Sequence, residues 1–222
     1  MIRDAALIAE RDLRIELRSR VALSQIAPFA LTVLILFGFA LDPDRGLLEQ
    51  VTPGLYWVAV LFSAQLAVAR SGSLDDSDGN RDALRLSGLD PAGVFLGKVL
   101  AVGLQLLVLQ LILAVGVAFF YEASFSGYAL VVVTCLVATA ALATAGTFYG
   151  SVVAGMGVRH TLLPLLLLPV LAPVLIGATQ AFEVALGEGL TSGWAWCGLI
   201  GGMALLYLVV GALTYGTLLE AS

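Results

Sequence analysis

The sequence predicts an all-α membrane protein with six transmembrane helices, an N-terminal amphipathic interfacial helix, and a cytoplasmic helix between spans two and three. Composition predicts the class, because 60% of the 222 residues are hydrophobic and only 12% are charged, whereas soluble domains carry about 25% charged residues. Six stretches of roughly 20 apolar residues, the length that crosses a bilayer, fit between the polar breaks. One transmembrane domain, residues 1–222, accounts for the chain.

Residues 1–20 have the pattern of a helix that lies along the inner membrane surface. On a helical wheel Leu7, Asp12, Ile15 and Glu16 fit less well, but the other residues separate into an apolar side and an arginine side: Ile2, Ala5, Ala6, Ala9, Leu13 and Leu17 against Arg3, Arg11, Arg14 and Arg18. The alternative is an ordinary solvated tail. Because a charged amphipathic start is unlike a signal peptide, we expect the first span to stay in the membrane.

The six spans follow from the apolar runs between polar breaks. They are predicted at about residues 21–41, 52–69, 94–121, 128–154, 161–182 and 194–218. The fifth contains Pro164, Pro169 and Pro173, so we expect it to be kinked or locally unwound, which a helix bundle tolerates.

Orientation follows from lysine and arginine, which accumulate in cytoplasmic loops. With the N-terminus inside, ten of the eleven cations are cytoplasmic and only Arg45 is outside. Aromatic rings then fall at the outer span ends, where the headgroup layer favours them: Tyr56, Trp57, Tyr121, Tyr128, Trp194 and Trp196. We expect a multi-pass protein of the bacterial inner membrane with both termini cytoplasmic, in contact with lipid and without a nucleic-acid partner.

The spans lack the side chains of membrane catalysis. No ionisable residue lies clearly at mid-span, which argues against proton-coupled transport, intramembrane proteolysis and metal-dependent transfer. "GVFLGKV", residues 93–99, has three residues between its glycines, whereas a phosphate-binding loop needs four and a following Ser or Thr. It is better explained as a small-xxx-small helix face with Lys98 extending to the inner interface. We therefore expect no ATP hydrolysis by this chain.

The remaining reactive side chains are isolated. His160 lies in a short inner loop, where a headgroup contact is a better explanation than a metal site. Cys135 and Cys197 have no paired motif, so we expect buried small side chains rather than a redox pair. No metal site is expected.

A polar island, residues 73–98, separates spans two and three. Its acidic turn "DDSDGN" is followed by the amphipathic segment "RDALRLSGL". Asp78 or Asn80 is suited to cap a helix, and Pro91 interrupts the chain before span three. The alternative is a solvated loop without a partner.

The span-two run "TPGLYWVAVLFSAQLAVAR" and the island resemble the haem exporter protein B (CcmB) family, the membrane subunit of an ABC-type system of cytochrome c maturation. The residues that carry the resemblance are Pro53, Gly54, Trp57, Arg70, Asp78, Gly79, Leu84, Leu86 and Lys98. The N-terminal "ERDLRIELRSR", the proline-rich span five, the length and the span count are also similar.

The resemblance implies a non-catalytic permease subunit. It would form a homodimer and work with a separate ATPase subunit similar to CcmA and a haem-handling membrane subunit similar to CcmC. The ATPase would bind a coupling helix in the cytoplasmic loop 71–93, through Asp75, Asp76, Asp78, Gly79, Arg81, Leu84, Arg85 and Leu86. Haem export and release of a haem-loaded chaperone both remain open.

No histidine lies at membrane depth or on the outer side to ligate haem iron, which favours a mechanical role over direct haem carriage; Met203 and the tyrosines are weak contacts at most. Two alternatives remain. One is a generic ABC-2-like export permease for lipid, polysaccharide or drug, which would share the island and the six spans. The other is a membrane scaffold without an ATPase.

Overall fold

A computed structural model describes residues 1–41, 45–76, 88–120, 127–154, 159–187 and 192–221. Within these residues the chain forms seven α-helices and one π-helical turn, Ala22–Ile26. The helices are α1 Ile2–Ser19, α2 Ala27–Leu41, α3 Arg45–Asp76, α4 Pro91–Phe120, α5 Tyr128–Val152, α6 Arg159–Ala185 and α7 Gly193–Ala221.

The six predicted spans are confirmed by length and composition. The apolar helical segments are Ala22–Ala40, Gln50–Ser73, Pro91–Phe119, Tyr128–Val152, Thr161–Ala185 and Gly193–Leu219. The second span lies within a longer helix than expected, because α3 already begins at Arg45. Pro53 and Gly54 consequently lie inside this helix and do not open it.

The three prolines of α6 do not unwind it, contrary to part of the expectation. The helix is continuous from Arg159 to Ala185. Pro173 cannot donate to the carbonyl of Pro169. One residue along, the Tyr207 hydroxyl of α7 donates to the carbonyl of Val170 at 2.9 Å, so a neighbouring helix supplies a hydrogen bond where the proline disturbs the backbone.

Helix α5 forms the centre of the bundle and contacts α3, α4, α6 and α7. Residues 141–147 are all buried, so this part of the helix is enclosed on all sides, as expected of a helix without a polar face. Small residues there let neighbouring backbones approach closely; the buried set comprises Ala138, Thr139, Ala141, Leu142, Ala143, Thr144, Ala145, Gly146 and Thr147. The outside of the bundle exposes large apolar side chains, as a surface in contact with lipid requires: Leu36, Phe39, Leu111, Phe119, Leu205 and Leu213.

A sharp turn connects α1 to the first span. Arg20 adopts a left-handed conformation with φ 53° and its amide donates to the carbonyl of Glu16 at 2.7 Å, which ends α1. The Glu16 carboxylate then accepts a hydrogen bond from the amide of Ala22 at 2.6 Å. This turn directs α1 back across the bundle, where it packs along α4.

Candidate functional site

The polar island lies between the end of α3 and the start of α4. The sequence predicts the coupling residues there. Asp75 and Asp76 belong to the last turn of α3. The other predicted coupling residues, Asp78, Gly79, Arg81, Leu84, Arg85 and Leu86, lie outside the residues that the structure describes. The described part of the site is therefore the root of the island, where α1, α3 and α4 meet.

Helix α1 packs directly on the first turns of α4. A Cβ atom at Gly93 would lie 2.9 Å from the carbonyl oxygen of Met1, and one at Gly97 would lie 2.6 Å from the carbonyl oxygen of Ala5. Only glycine allows such an approach of two backbones. The predicted small-xxx-small face of residues 93–97 therefore exists, and α1 is the helix that occupies it.

Asp4 fixes the first turn of α1 to the start of α4. Its carboxylate accepts a hydrogen bond from the backbone amide of Asp90 at 3.4 Å. A hydrogen bond from the N-terminal ammonium, with the Asp90 amide contributing, holds the pKa of the Asp4 carboxyl below its ordinary value. The charged form is therefore the one that holds these helices together at neutral pH.

Lys98 does not extend to the interface, so that prediction was wrong. The residue is only 2% exposed, and Nζ lies 3.8 Å from the Oδ2 atom of Asp12 in α1. The Asp12 Oδ1 atom also accepts a hydrogen bond from Nε of Arg11 at 2.9 Å. Because α1 covers α4 at this point, the lysine meets a carboxylate and not the headgroup layer.

A small pocket of about 20 Å³ lies one turn further along, between α1, α3 and α4. Asp12 and Glu16 of α1, Arg70 of α3 and Gln105 of α4 contribute to its lining. Arg70 Nε and Gln105 Nε2 are buried and have no hydrogen-bond partner among the described residues. Acidic and basic side chains thus converge near the end of the apolar segment of α3, Gln50–Ser73.

Trp57 and Tyr56 are core residues, so their expected place in the headgroup layer was wrong. They are 1% and 2% exposed. The Tyr56 ring stacks on Phe182 of α6 with centroids 5.0 Å apart, and Trp57 meets Phe182 edge-on at 5.2 Å. Among the other rings predicted to lie at the outer ends of spans, Trp194 and Tyr128 are 56% and 72% exposed.

Two open cavities flank this aromatic cluster of Tyr56, Trp57 and Phe182. One, of about 340 Å³, is lined by Gly54 and Trp57 of α3 and by residues of α6. The other, of about 460 Å³, lies between α4 and α5 and includes Tyr56, Gln110 and Phe182 in a lining that is almost entirely carbon. Pro53 is buried, and Gly54 and Trp57 line the first cavity, so these family-pattern residues of span two shape packing.

The two cysteines are free thiols, and Cys197 is buried. The Thr134 hydroxyl lies 3.2 Å from Cys197 Sγ, and the Tyr56 hydroxyl lies 3.8 Å from Cys135 Sγ. The Tyr56 hydroxyl also donates to the carbonyl of Gln110 at 3.2 Å. These contacts join helices across the bundle.

The described residues contain no group of three or more histidine, cysteine, aspartate or glutamate side chains that could hold a metal ion. The polar groups of the site are instead arranged to connect helices. The sequence pattern did not point to four of its residues: Asp4, Asp12, Gln105 and Phe182. Asp12 did leave a signal, because it was one of the residues that did not fit the amphipathic wheel of α1.

Comparison with known proteins tests the family resemblance that span two and the island suggested. The family model described as "CcmB protein" matches residues 3–222. The chain belongs to the CcmB family. Heme exporter protein B of Bradyrhizobium diazoefficiens is 32% identical over 215 residues, 93% of this chain and 92% of that protein. The protein of the same name from Paracoccus denitrificans is 33% identical, covering 77% of this chain and 78% of its own length.

A third CcmB relative extends the comparison. Heme exporter protein B of Haemophilus influenzae is 32% identical over 182 residues, 80% of both chains. With the family match beginning at residue 3, the similarity includes α1 and all six spans. Helix α1 and the face of α4 on which it packs therefore both lie within the residues that the family model matches.

Proposed function

We propose that this CcmB chain is the non-catalytic permease subunit of an ABC-type complex that serves haem export in cytochrome c maturation. The match to the family over residues 3–222 carries this proposal, and the six apolar helices supply the membrane domain that a permease needs. The complex lies in the bacterial inner membrane, with both chain termini in the cytoplasm.

The polar island is the contact for a separate ATPase subunit. It connects α3 to α4 on the side of the membrane where α1 lies, and ten of eleven cations are assigned to this side. Leu84 and Leu86 supply the apolar contacts, with Arg81 and Arg85 beside them. ATP-driven closure of two ATPase subunits moves the island, and the two helices carry that movement into a homodimer of this chain.

Haem is the cargo of the complex rather than a cofactor of this chain. The single histidine, His160, is the second residue of α6 and lies at the N-terminal end of that helix. Met203 is half-buried in α7, where its thioether is at most a weak haem ligand. A mechanical role, with iron ligands supplied by a haem-handling membrane subunit similar to CcmC, fits this composition.

The island contact is tested by the double substitution Leu84→Asp/Leu86→Asp in a tagged chain. Two buried charges should abolish co-purification of the ATPase in mild detergent, while the chain still accumulates in the membrane fraction. Leu84→Ile/Leu86→Ile is the matched control, because it keeps both apolar contacts. Unchanged co-purification of the aspartate variant would refute the island contact.

The cargo is tested by haem staining of c-type cytochromes in a strain that lacks this chain. Loss of stained cytochromes, restored by the wild-type chain, supports cytochrome maturation. Unaltered staining would favour the generic exporter of lipid, polysaccharide or drug. A pull-down that recovers an ATPase without a haem-handling membrane subunit would point the same way.

A further inference from the structure

The pocket between α1, α3 and α4 has the size of one water molecule. Its volume is about 20 Å³, and by the same measure a single bound water requires about 10–15 Å³. The pocket lies at the root of the polar island. Arg70, one of its lining residues, is six residues before the end of α3 at Asp76. Size alone admits water, so the polar atoms around the space decide whether it binds one.

Two donors in the pocket lining need an acceptor. Arg70 Nε and Gln105 Nε2 are buried and have no partner among the described residues. A buried donor without an acceptor is costly, and native proteins satisfy nearly all such groups with protein atoms or ordered water. Both residues belong to the lining of the same small pocket, so one acceptor placed there can serve both.

Two carboxylates in the lining retain free acceptor capacity. Asp12 Oδ1 accepts from Arg11 Nε at 2.9 Å, and Glu16 Oε1 accepts from the amide of Ala22 at 2.6 Å. An ionised carboxylate has about four acceptor positions, so each can accept another hydrogen bond. Two donors and two acceptors thus belong to the lining of one space, and a single water molecule can bond to as many as four such groups.

Three cations and two carboxylates surround the pocket. Asp12 and Glu16 are acidic and Arg70 is basic in the lining, while Arg11 and Lys98 lie 2.9 and 3.8 Å from the Asp12 carboxylate. The excess of positive charge disfavours a bound cation. The volume of about 20 Å³ holds one water molecule and is too small for a polyatomic anion.

We propose that this pocket holds one bound water molecule that joins Arg70 and Gln105 to Asp12 and Glu16. The water makes a hydrated joint among α1, α3 and α4. Since α3 and α4 carry the two ends of the island, this joint fixes α1 to both. The inference deepens the proposed function, on which its role in coupling rests, because movement of the island then moves α1 as well.

The first test is X-ray radiolysis of the full-length chain in lipid nanodiscs, followed by mass spectrometry. Radiolysis turns a bound water into a hydroxyl radical that oxidises the nearest side chains. Val102 lines the pocket and is 2% exposed, whereas Leu106, one turn along α4, is 0% exposed and outside the lining. We expect oxidation of Val102 and none of Leu106. Equal protection of both would overturn the proposal.

The second test uses the direction of a stability change. Gln105→Leu removes one partner of the water, so we expect its apparent Tm to fall by about 2–4 °C. Leu104→Ala is the control on the same helix, since Leu104 is 47% exposed and does not line the pocket. Its Tm should change by less than about 2 °C, as is usual for an exposed position.

A rise in Tm with Gln105→Leu would show that the pocket is dry and would refute the joint. Neither test requires an ATPase. Failure of the Leu84→Asp/Leu86→Asp experiment with Val102 oxidised would therefore reject the island contact and keep the water, and the reverse pattern would reject the water alone.

Discussion

Lys98 of α4 and Asp12 of α1 form a buried ion pair, with Nζ and Oδ2 3.8 Å apart and side chains 3% and 10% exposed. Removing two charges from water is costly, and their attraction compensates only while both remain. Arg11 adds a hydrogen bond to the same carboxylate. The pair therefore makes α1 part of the packed fold.

Asp12→Ala should strongly destabilise the chain, because it leaves Lys98 buried without its carboxylate. Breaking a buried pair costs about 3–5 kcal/mol, so the free energy of unfolding in detergent should fall by an amount of that order. Glu10→Ala is the control, since its partner Arg14 is exposed and exposed pairs contribute about 0–1 kcal/mol.

The double variant Asp12→Leu/Lys98→Met separates charge from packing. Replacing both charges with apolar side chains of similar size should recover much of the lost stability. If Asp12→Ala were as stable as Glu10→Ala, the lysine would have another route to solvent and the pair would have no structural importance.

Gly97→Val should detach α1 from α4. Even a Cβ at this position would lie 2.6 Å from the carbonyl of Ala5 and 2.7 Å from Ile8 Cβ, and overpacking costs about 1–3 kcal/mol. We expect a lower Tm and faster backbone hydrogen exchange in Ile2–Ser19. Gly198→Ala is the control, because a Cβ there has no atom within 4 Å, and alanine should favour the helix. Unchanged exchange in α1 would contradict the close packing.

The spans could be predicted because each needs only a long apolar run, a property of adjacent residues. Ala22–Ala40 and Tyr128–Val152 lie within two residues of their expected bounds. Helix α3 was longer than predicted because Pro53 and Gly54 suggested a helix start. The chain before the expected start provides seven further helical residues, from Arg45 to Val51. Pro53 therefore lies in the third turn, where it cannot donate to the carbonyl of Glu49 and yet does not end the helix.

The site could be predicted less well because it depends on contacts between helices that are far apart in the sequence. The rules used for Lys98 and Trp57 consider depth in the membrane and assume contact with lipid or headgroups. In the fold, α1 covers Lys98 and Phe182 covers Trp57. The misfit of Asp12 on the wheel indicated a second packing face, but the sequence does not identify its partner.

Phe182→Ala should destabilise the bundle through the aromatic cluster. Phe182 is 3% exposed and contacts both Tyr56 and Trp57, and removing a buried aromatic ring costs about 3–5 kcal/mol. Thermal unfolding in detergent measures the effect. Phe119→Ala is the matched control, since Phe119 is 77% exposed and should change stability by about 0.5 kcal/mol or less. Equal losses of stability in the two variants would mean that the aromatic cluster stabilises the bundle no more than an exposed side chain does.

Ser19 and Ser192 should lie on opposite faces of the membrane. Both are exposed, and five of the six apolar helices lie between them. An odd number of crossings places them on different sides whatever the orientation, and the distribution of cations places Ser19 in the cytoplasm. The native thiols, Cys135 and Cys197, are replaced by alanine before a single cysteine is introduced at either position.

Ser192→Cys should react with a membrane-impermeant maleimide in intact spheroplasts, because the segment between α6 and α7 then faces outward. Ser19→Cys should react only after the membrane is permeabilised, although both thiols are exposed in the fold. Reaction of Ser19→Cys alone in intact cells would reverse the orientation and place the polar island outside, where no ATPase could reach it. Reaction of both from one side would instead contradict the six-span count, because five crossings cannot return the chain to the face it left.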